Sequence, residues 1–164
     1  ASTAEEADKL LAARRTALTA LSRLRPTTIL EDATVPRSKI AEMLLAINRI
    51  VDKYGIQVAT FGHAGDGNLH PTAMTDARNA EELHRVEEAF AEIFAAAIEL
   101  GGTITGEHGV GVVKAPYLEW KAGPAGVELM KRIKQAFDPH GLLNPGKMFA
   151  EPARKRVVID RGGN

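Results

Sequence analysis

Ile56-Gln57-Val58-Ala59-Thr60-Phe61-Gly62-His63-Ala64-Gly65-Asp66-Gly67-Asn68-Leu69-His70-Pro71-Thr72-Ala73-Met74 reads as two strands joined by a glycine-dense turn. Ile56, Val58 and Thr60 alternate with Gln57, Ala59 and Phe61, the period-2 pattern of a half-buried strand. Gly62 to Asn68 supply the turn, and Leu69 to Met74 form the returning strand. Upstream, Ile40, Met43, Leu44, Ile47, Val51 and Tyr54 recur at helical spacing, and Gly55 supplies the stop. Downstream, Asp76 or Asn79 caps a long helix whose stripe is Leu83, Val86, Phe90, Ile93, Ala97 and Leu100; Gly101-Gly102 ends it. Ile29 to Val35 predicts an earlier short strand, closed by Pro36. Residues 4–24 predict an amphipathic helix, halted at Arg25-Pro26 because the residue before proline avoids the helical region. Thr103 to Thr105 is extended, Pro116 and Pro124 break the next stretch, and Val127, Met130, Ile133 and Phe137 mark a last helix. The order β-α-β-β-α predicts an α+β sandwich, a mainly antiparallel sheet with helices on one face.

Composition narrows the chemistry. The 164 residues hold 21 Lys plus Arg and 21 Asp plus Glu. Zero net charge argues against nucleic acid as a partner, since phosphate binding needs a basic surplus. There is no cysteine, so disulfides, thiolate metal sites and Cys nucleophiles are excluded. A metal here must be held by His, Asp, Glu or backbone oxygen. No apolar run reaches the length of a membrane span. The chain opens at Ala1 inside a helical pattern, which reads as part of a longer chain.

Two glycine clusters carry the reactive side chains. His63 and His70 flank the hairpin turn, and residues close in register point to the same side of a sheet. Two converging imidazoles are what a divalent metal needs; the plainer alternative is a tight hairpin with two incidental histidines. Gly106-Glu107-His108-Gly109-Val110-Gly111 holds the second cluster. Neighbours in an extended segment point to opposite sides, so one of Glu107 and His108 could ligate while the other reacts. Glu107 as a third ligand would leave open coordination positions, as catalytic sites do, with His108 free as a base. Neither glycine cluster is a dinucleotide or phosphate-loop fingerprint, and no serine sits in a nucleophile-elbow context.

Three blocks carry a resemblance: Phe61 to His70, Gly102-Thr103-Ile104-Thr105-Gly106-Glu107-His108-Gly109-Val110-Gly111, and Phe137-Asp138-Pro139-His140-Gly141-Leu142-Leu143-Asn144-Pro145-Gly146-Lys147. In this order they resemble the C-terminal region of FAD-linked oxidases of the vanillyl-alcohol-oxidase type, in the glycolate oxidase and D-lactate dehydrogenase branch. The resemblance implies a ferredoxin-like cap domain over residues 1–150, truncated at its start, followed by a polar basic tail at 151–164. It implies that an absent N-terminal domain holds most of the FAD. It implies His63, His70 and Glu107 as ligands of a divalent metal (zinc, manganese or iron), His108 as catalytic base and Asn144 near the flavin. Arg14 falls where such proteins place an arginine for the substrate carboxylate, although Leu11 stands where a tryptophan is usual. Leu30 stands where some relatives carry a lysine.

The implied function is oxidation of a small 2-hydroxy acid, glycolate or D-lactate, to the 2-oxo acid, this piece alone being inactive. The implied partners are the missing flavin domain and an iron–sulfur electron-acceptor subunit, in the cytoplasm or peripheral at the inner membrane, with a homodimer as a further expectation. A self-contained metal hydrolase using His63, His70 and Glu107, or a non-catalytic module, are the alternatives.

Overall fold

The computed structural model describes residues 1–149, apart from the side chains of Ala13 and Arg14. The basic tail expected at 151–164 lies outside the described residues. Helix α1 (Ala4–Leu21) starts at Thr3, whose hydroxyl accepts the Glu6 N–H at 3.2 Å, and carries Glu5 and Glu6 in its first turn. It ends one turn before residue 24, because Ser22 to Leu24 tighten into a turn ahead of Pro26.

The short strand predicted over 29–35 is present as two pieces, β1 (Thr27–Leu30) and β2 (Ala33–Thr34). Both pair antiparallel with β4 (Asn68–Thr75), and in one register: Leu30 faces Thr72 and Ala33 faces Leu69. The interruption therefore places Glu31 across from Pro71 and Asp32 across from His70. Proline has no N–H to donate, so the ladder loses a rung there, although Glu31 N–H still reaches the Pro71 carbonyl at 3.1 Å. Strand β3 (Gln57–His63) forms the predicted hairpin with β4, pairing Phe61 with His70 and His63 with Asn68. Thr103 adds a single bridge to Thr34 on the far side of β2. Across the sheet the positions run Thr103, β1/β2, β4, β3, which is the ferredoxin-like order with its fourth strand reduced to one bridge.

Helices α2 (Ile40–Tyr54) and α3 (Ala80–Glu99) cover one face of this sheet. Gly55 closes α2 in the left-handed conformation, φ 60°, and the Asn79 side chain caps α3 by accepting the Glu82 N–H at 3.1 Å. Met43 and Ile47 of α2 and Phe90, Ile93 and Phe94 of α3 pack on Ala33, Leu69 and Ala73. Because side chains alternate along a strand, Leu69 and Ala73 in this core leave Asn68, His70 and Thr72 on the opposite face. Helix α4 (Leu118–Phe137) bends at Gly123 and Pro124 and packs lightly on α3, with Tyr117 against Phe94 at 5.1 Å between ring centres. Its stripe of Leu129, Met130, Ile133 and Phe137 is exposed, as are Leu142 and Leu143 beyond it. No helix among the described residues is long and apolar enough to cross a membrane.

Candidate metal and proton-transfer site

The face turned away from α2 and α3 gathers four of the predicted residues, His63, His70, Glu107 and His108. His63 ends β3 and His70 lies within β4, two register steps apart on the same face, their ring centres 5.2 Å apart and edge-on. The loop after Thr103 brings Glu107 over them: its Oε1 lies 3.3 Å from His63 Nε2 and 3.1 Å from His70 Nε2. One ligand atom from each of the three falls within 4.8 Å of the others. His108 stacks on His70 with ring centres 4.9 Å apart, and its Nε2 lies 3.7 Å from the same Glu107 oxygen.

Consecutive residues Glu107 and His108 thus address one point, where an extended segment would separate them. The backbone between them turns onto Asp32, a residue outside the sequence-predicted set. This carboxylate is fully buried and accepts the N–H groups of Gly106, Glu107 and His108 at 2.9–3.1 Å and the Thr105 hydroxyl at 2.8 Å. The loop curls around the anion, and the curl removes the alternation of side chains. Burial would raise the Asp32 pKa; the N–H groups of His108 and Gly106, the Lys114 ammonium and the Thr105 hydroxyl outweigh it and hold it at about 2. Lys114 is itself buried, donates to the Asp32 carbonyl at 3.1 Å and lies 3.7 Å from Glu31. The available signal was the acidic pair Glu31-Asp32 inside a segment that reads as a strand.

His70 is 3% exposed, and its Nδ1 has no hydrogen-bond partner among the described residues. Burial, then the neighbouring His108, lower its pKa against the opposing pull of Asp32 and Glu107. The shift favours the neutral imidazole, the form that ligates metals. His63 and His108 are partly open to solvent.

Beside His108 opens a cleft of about 310 Å³ whose walls include Leu30, Glu31, Val110, Lys114 and Lys147. Just beyond the third sequence block, the Met148 N–H donates to the Gly111 carbonyl of its wall at 2.7 Å. Lys147 lines the cleft and Asn144 does not; Asn144 opens the exposed turn before it, at φ 47°. Arg14 lies on α1, and its side chain is outside the described ones.

A family model described as "FAD linked oxidases, C-terminal domain" matches residues 1–148. Glycolate oxidase subunit GlcD of Bacillus subtilis (strain 168) is 68% identical over 161 residues, covering 98% of this chain and 34% of that protein. The Escherichia coli (strain K12) protein of the same name is 39% identical over 136 residues, covering 83% and 27%. D-lactate dehydrogenase of Archaeoglobus fulgidus is 42% identical over 117 residues, covering 71% and 26%. The chain thus spans about a third of the length of the curated relatives it matches, or less. A crystal structure of p-cresol methylhydroxylase with substrate bound shares the fold, with a TM-score of 0.56 at 18% identity over 79% of this chain and 25% of that one.

Proposed function

This chain belongs to the family of FAD-linked oxidase C-terminal domains, and from that premise we propose that it forms the substrate-facing part of a flavin-dependent D-2-hydroxy-acid dehydrogenase. The substrate is glycolate or D-lactate and the product the 2-oxo acid, in keeping with the names of the relatives. The observation that carries this reading is the convergence of His63, His70 and Glu107 beside His108, which itself lines a cleft.

The donor set suits a divalent ion such as zinc, manganese or iron: two imidazoles, one favoured as neutral by burial, and one carboxylate, with positions left open for substrate. An ion held there would polarise the hydroxyl and carboxylate oxygens of a 2-hydroxy acid and lower the hydroxyl pKa. FAD, bound mainly by a separate domain, would supply the two-electron acceptor. The chain's own task is positioning and proton transfer. His108 Nε2 faces the same Glu107 oxygen as the two other imidazoles, so it reaches the hydroxyl of a substrate bound at that point. It accepts the hydroxyl proton as the C–H bond at Cα breaks, the hydrogen leaving with its electron pair as hydride and the oxygen lone pair closing the carbonyl. Stacking on buried His70 keeps the imidazole plane in place. Arg14 on α1 is assigned to the substrate carboxylate and Asn144 to the flavin edge. Relatives named as subunits support an assembly with further chains; an iron–sulfur partner that takes electrons onward, in the cytoplasm or at the inner membrane surface, completes the proposal.

Anaerobic mixing of the complete gene product with glycolate or D-lactate tests this. Flavin absorbance should bleach, and His108→Ala should slow the bleaching by about 10²–10⁴-fold with FAD content unchanged. Failure of every 2-hydroxy acid to bleach the flavin, or a His108→Ala rate equal to the parent, would overturn it.

A further inference from the structure

Asp32 stands far along the chain from the residues it holds, yet three consecutive N–H groups and one hydroxyl from Thr105 to His108 converge on its carboxylate. Such runs of inward-turned amides usually form concavities that take a bound anion. Here the anion is a side chain of the chain itself, delivered from the break in the edge strand opposite Pro71. The carboxylate also lies 3.9 Å from His108 Nδ1 and 3.6 Å from Lys114 Nζ, so the far end of the same loop is tied to it. We propose that Asp32 is the positioning residue that brings Glu107 and His108 to one point, a reading that rests on the roles assigned to those two above.

The geometry leaves little room for another organiser. Residues 104–114 contain no strand or helix, and Glu107 and His108 are both partly exposed, so no ladder orients them and packing reaches only the His108 ring, through its stack on His70. What fixes their direction is the curl of the backbone about one buried carboxylate. Charge-assisted bonds to an ionised acceptor are the strong class of hydrogen bond, and four donors share this one acceptor group. With His108 presenting its Nδ1 edge to Asp32, the Nε2 edge is the one turned toward Glu107 and the cleft. Outer partners that orient ligands typically change metal affinity or activity by about 10–100-fold when removed.

The test is amide hydrogen exchange on the complete gene product, with and without Asp32→Asn, beside Mn²⁺ titration with no substrate present. In the parent, the amides of Gly106, Glu107 and His108 should exchange at least about a hundredfold more slowly than that of exposed Gly65. Asp32→Asn should speed those three selectively, leave the α3 amides protected, and weaken Mn²⁺ binding by about 10–100-fold. It should lower kcat by more than it raises KM. Rapid exchange at 106–108 in the parent overturns the proposal without any variant, which covers the case that Asp32→Asn fails to fold. Mn²⁺ affinity within twofold of the parent in a folded Asp32→Asn protein also overturns it, as does acceleration spread evenly over the domain. Glu107→Gln separates the two readings: if it binds Mn²⁺ as the parent does, the metal site is wrong, while the exchange data still judge the Asp32 clamp.

Discussion

At the scale of single residues, the site is governed by burial differences among like groups. His70 and His63 are both imidazoles on one face of one hairpin, but His70 is buried and His63 partly open. Asp32 and Glu107 are both carboxylates near them, yet Asp32 is spent on backbone donors and Glu107 is left to face the imidazoles. The ionised state of Asp32 has a stability consequence. Its folded pKa, about 2, lies below the ordinary carboxyl value of 3.8. The stabilisation is therefore fully present above pH ~4 and is lost as pH falls through ~2. A shift of that size is worth roughly 2–3 kcal/mol. Urea unfolding should show Asp32→Asn less stable than the parent by about this amount at neutral pH, with the gap closing toward pH ~2. A gap that stays constant with pH would show that the charge of Asp32 is not what stabilises the loop.

At the scale of elements, the hairpin was legible because period-2 alternation and a glycine-dense turn agree. Helices α2 and α3 were legible because their apolar stripes and the Gly55 and Asn79 caps agree. The break between β1 and β2 was not, because it comes from Pro71 on the neighbouring strand and not from anything in residues 29–35. The shared direction of Glu107 and His108 was hidden for the same reason: it depends on an acid more than seventy positions away. Turn glycines show a similar division. Gly67 has φ +83°, and a Cβ there would meet the Val35 carbonyl at 2.0 Å, whereas a Cβ at Gly65 meets nothing. Gly67→Ala should cost more than about 2 kcal/mol and displace the hairpin tip that carries His63. Gly65→Ala should stay within about 0.5 kcal/mol. Equal unfolding midpoints for the two variants would mean that the close approach of turn and edge strand is not a constraint.

At the scale of the whole molecule, one face of the sheet is sealed by α2 and α3 and the other presents the site. Leu129, Ile133 and Phe137 on α4, with Leu142 and Leu143, leave apolar surface exposed on the described chain. The isolated chain should accordingly self-associate, sedimenting faster as concentration rises, and Ile133→Glu with Phe137→Glu should abolish the trend. A parent chain that sediments as a monomer at every concentration would contradict this. The proposed ligands His63, His70 and Glu107 and the proposed base His108 all come from this chain and meet on that open face. The most direct test is metal content by elemental analysis of the complete gene product, purified without chelator, beside His70→Ala and Glu107→Gln. About one divalent ion per chain is expected in the parent and none in either variant, with FAD content equal in all three. Parent protein free of metal after reconstitution, or variants that keep the ion, would contradict the assignment of His63, His70 and Glu107.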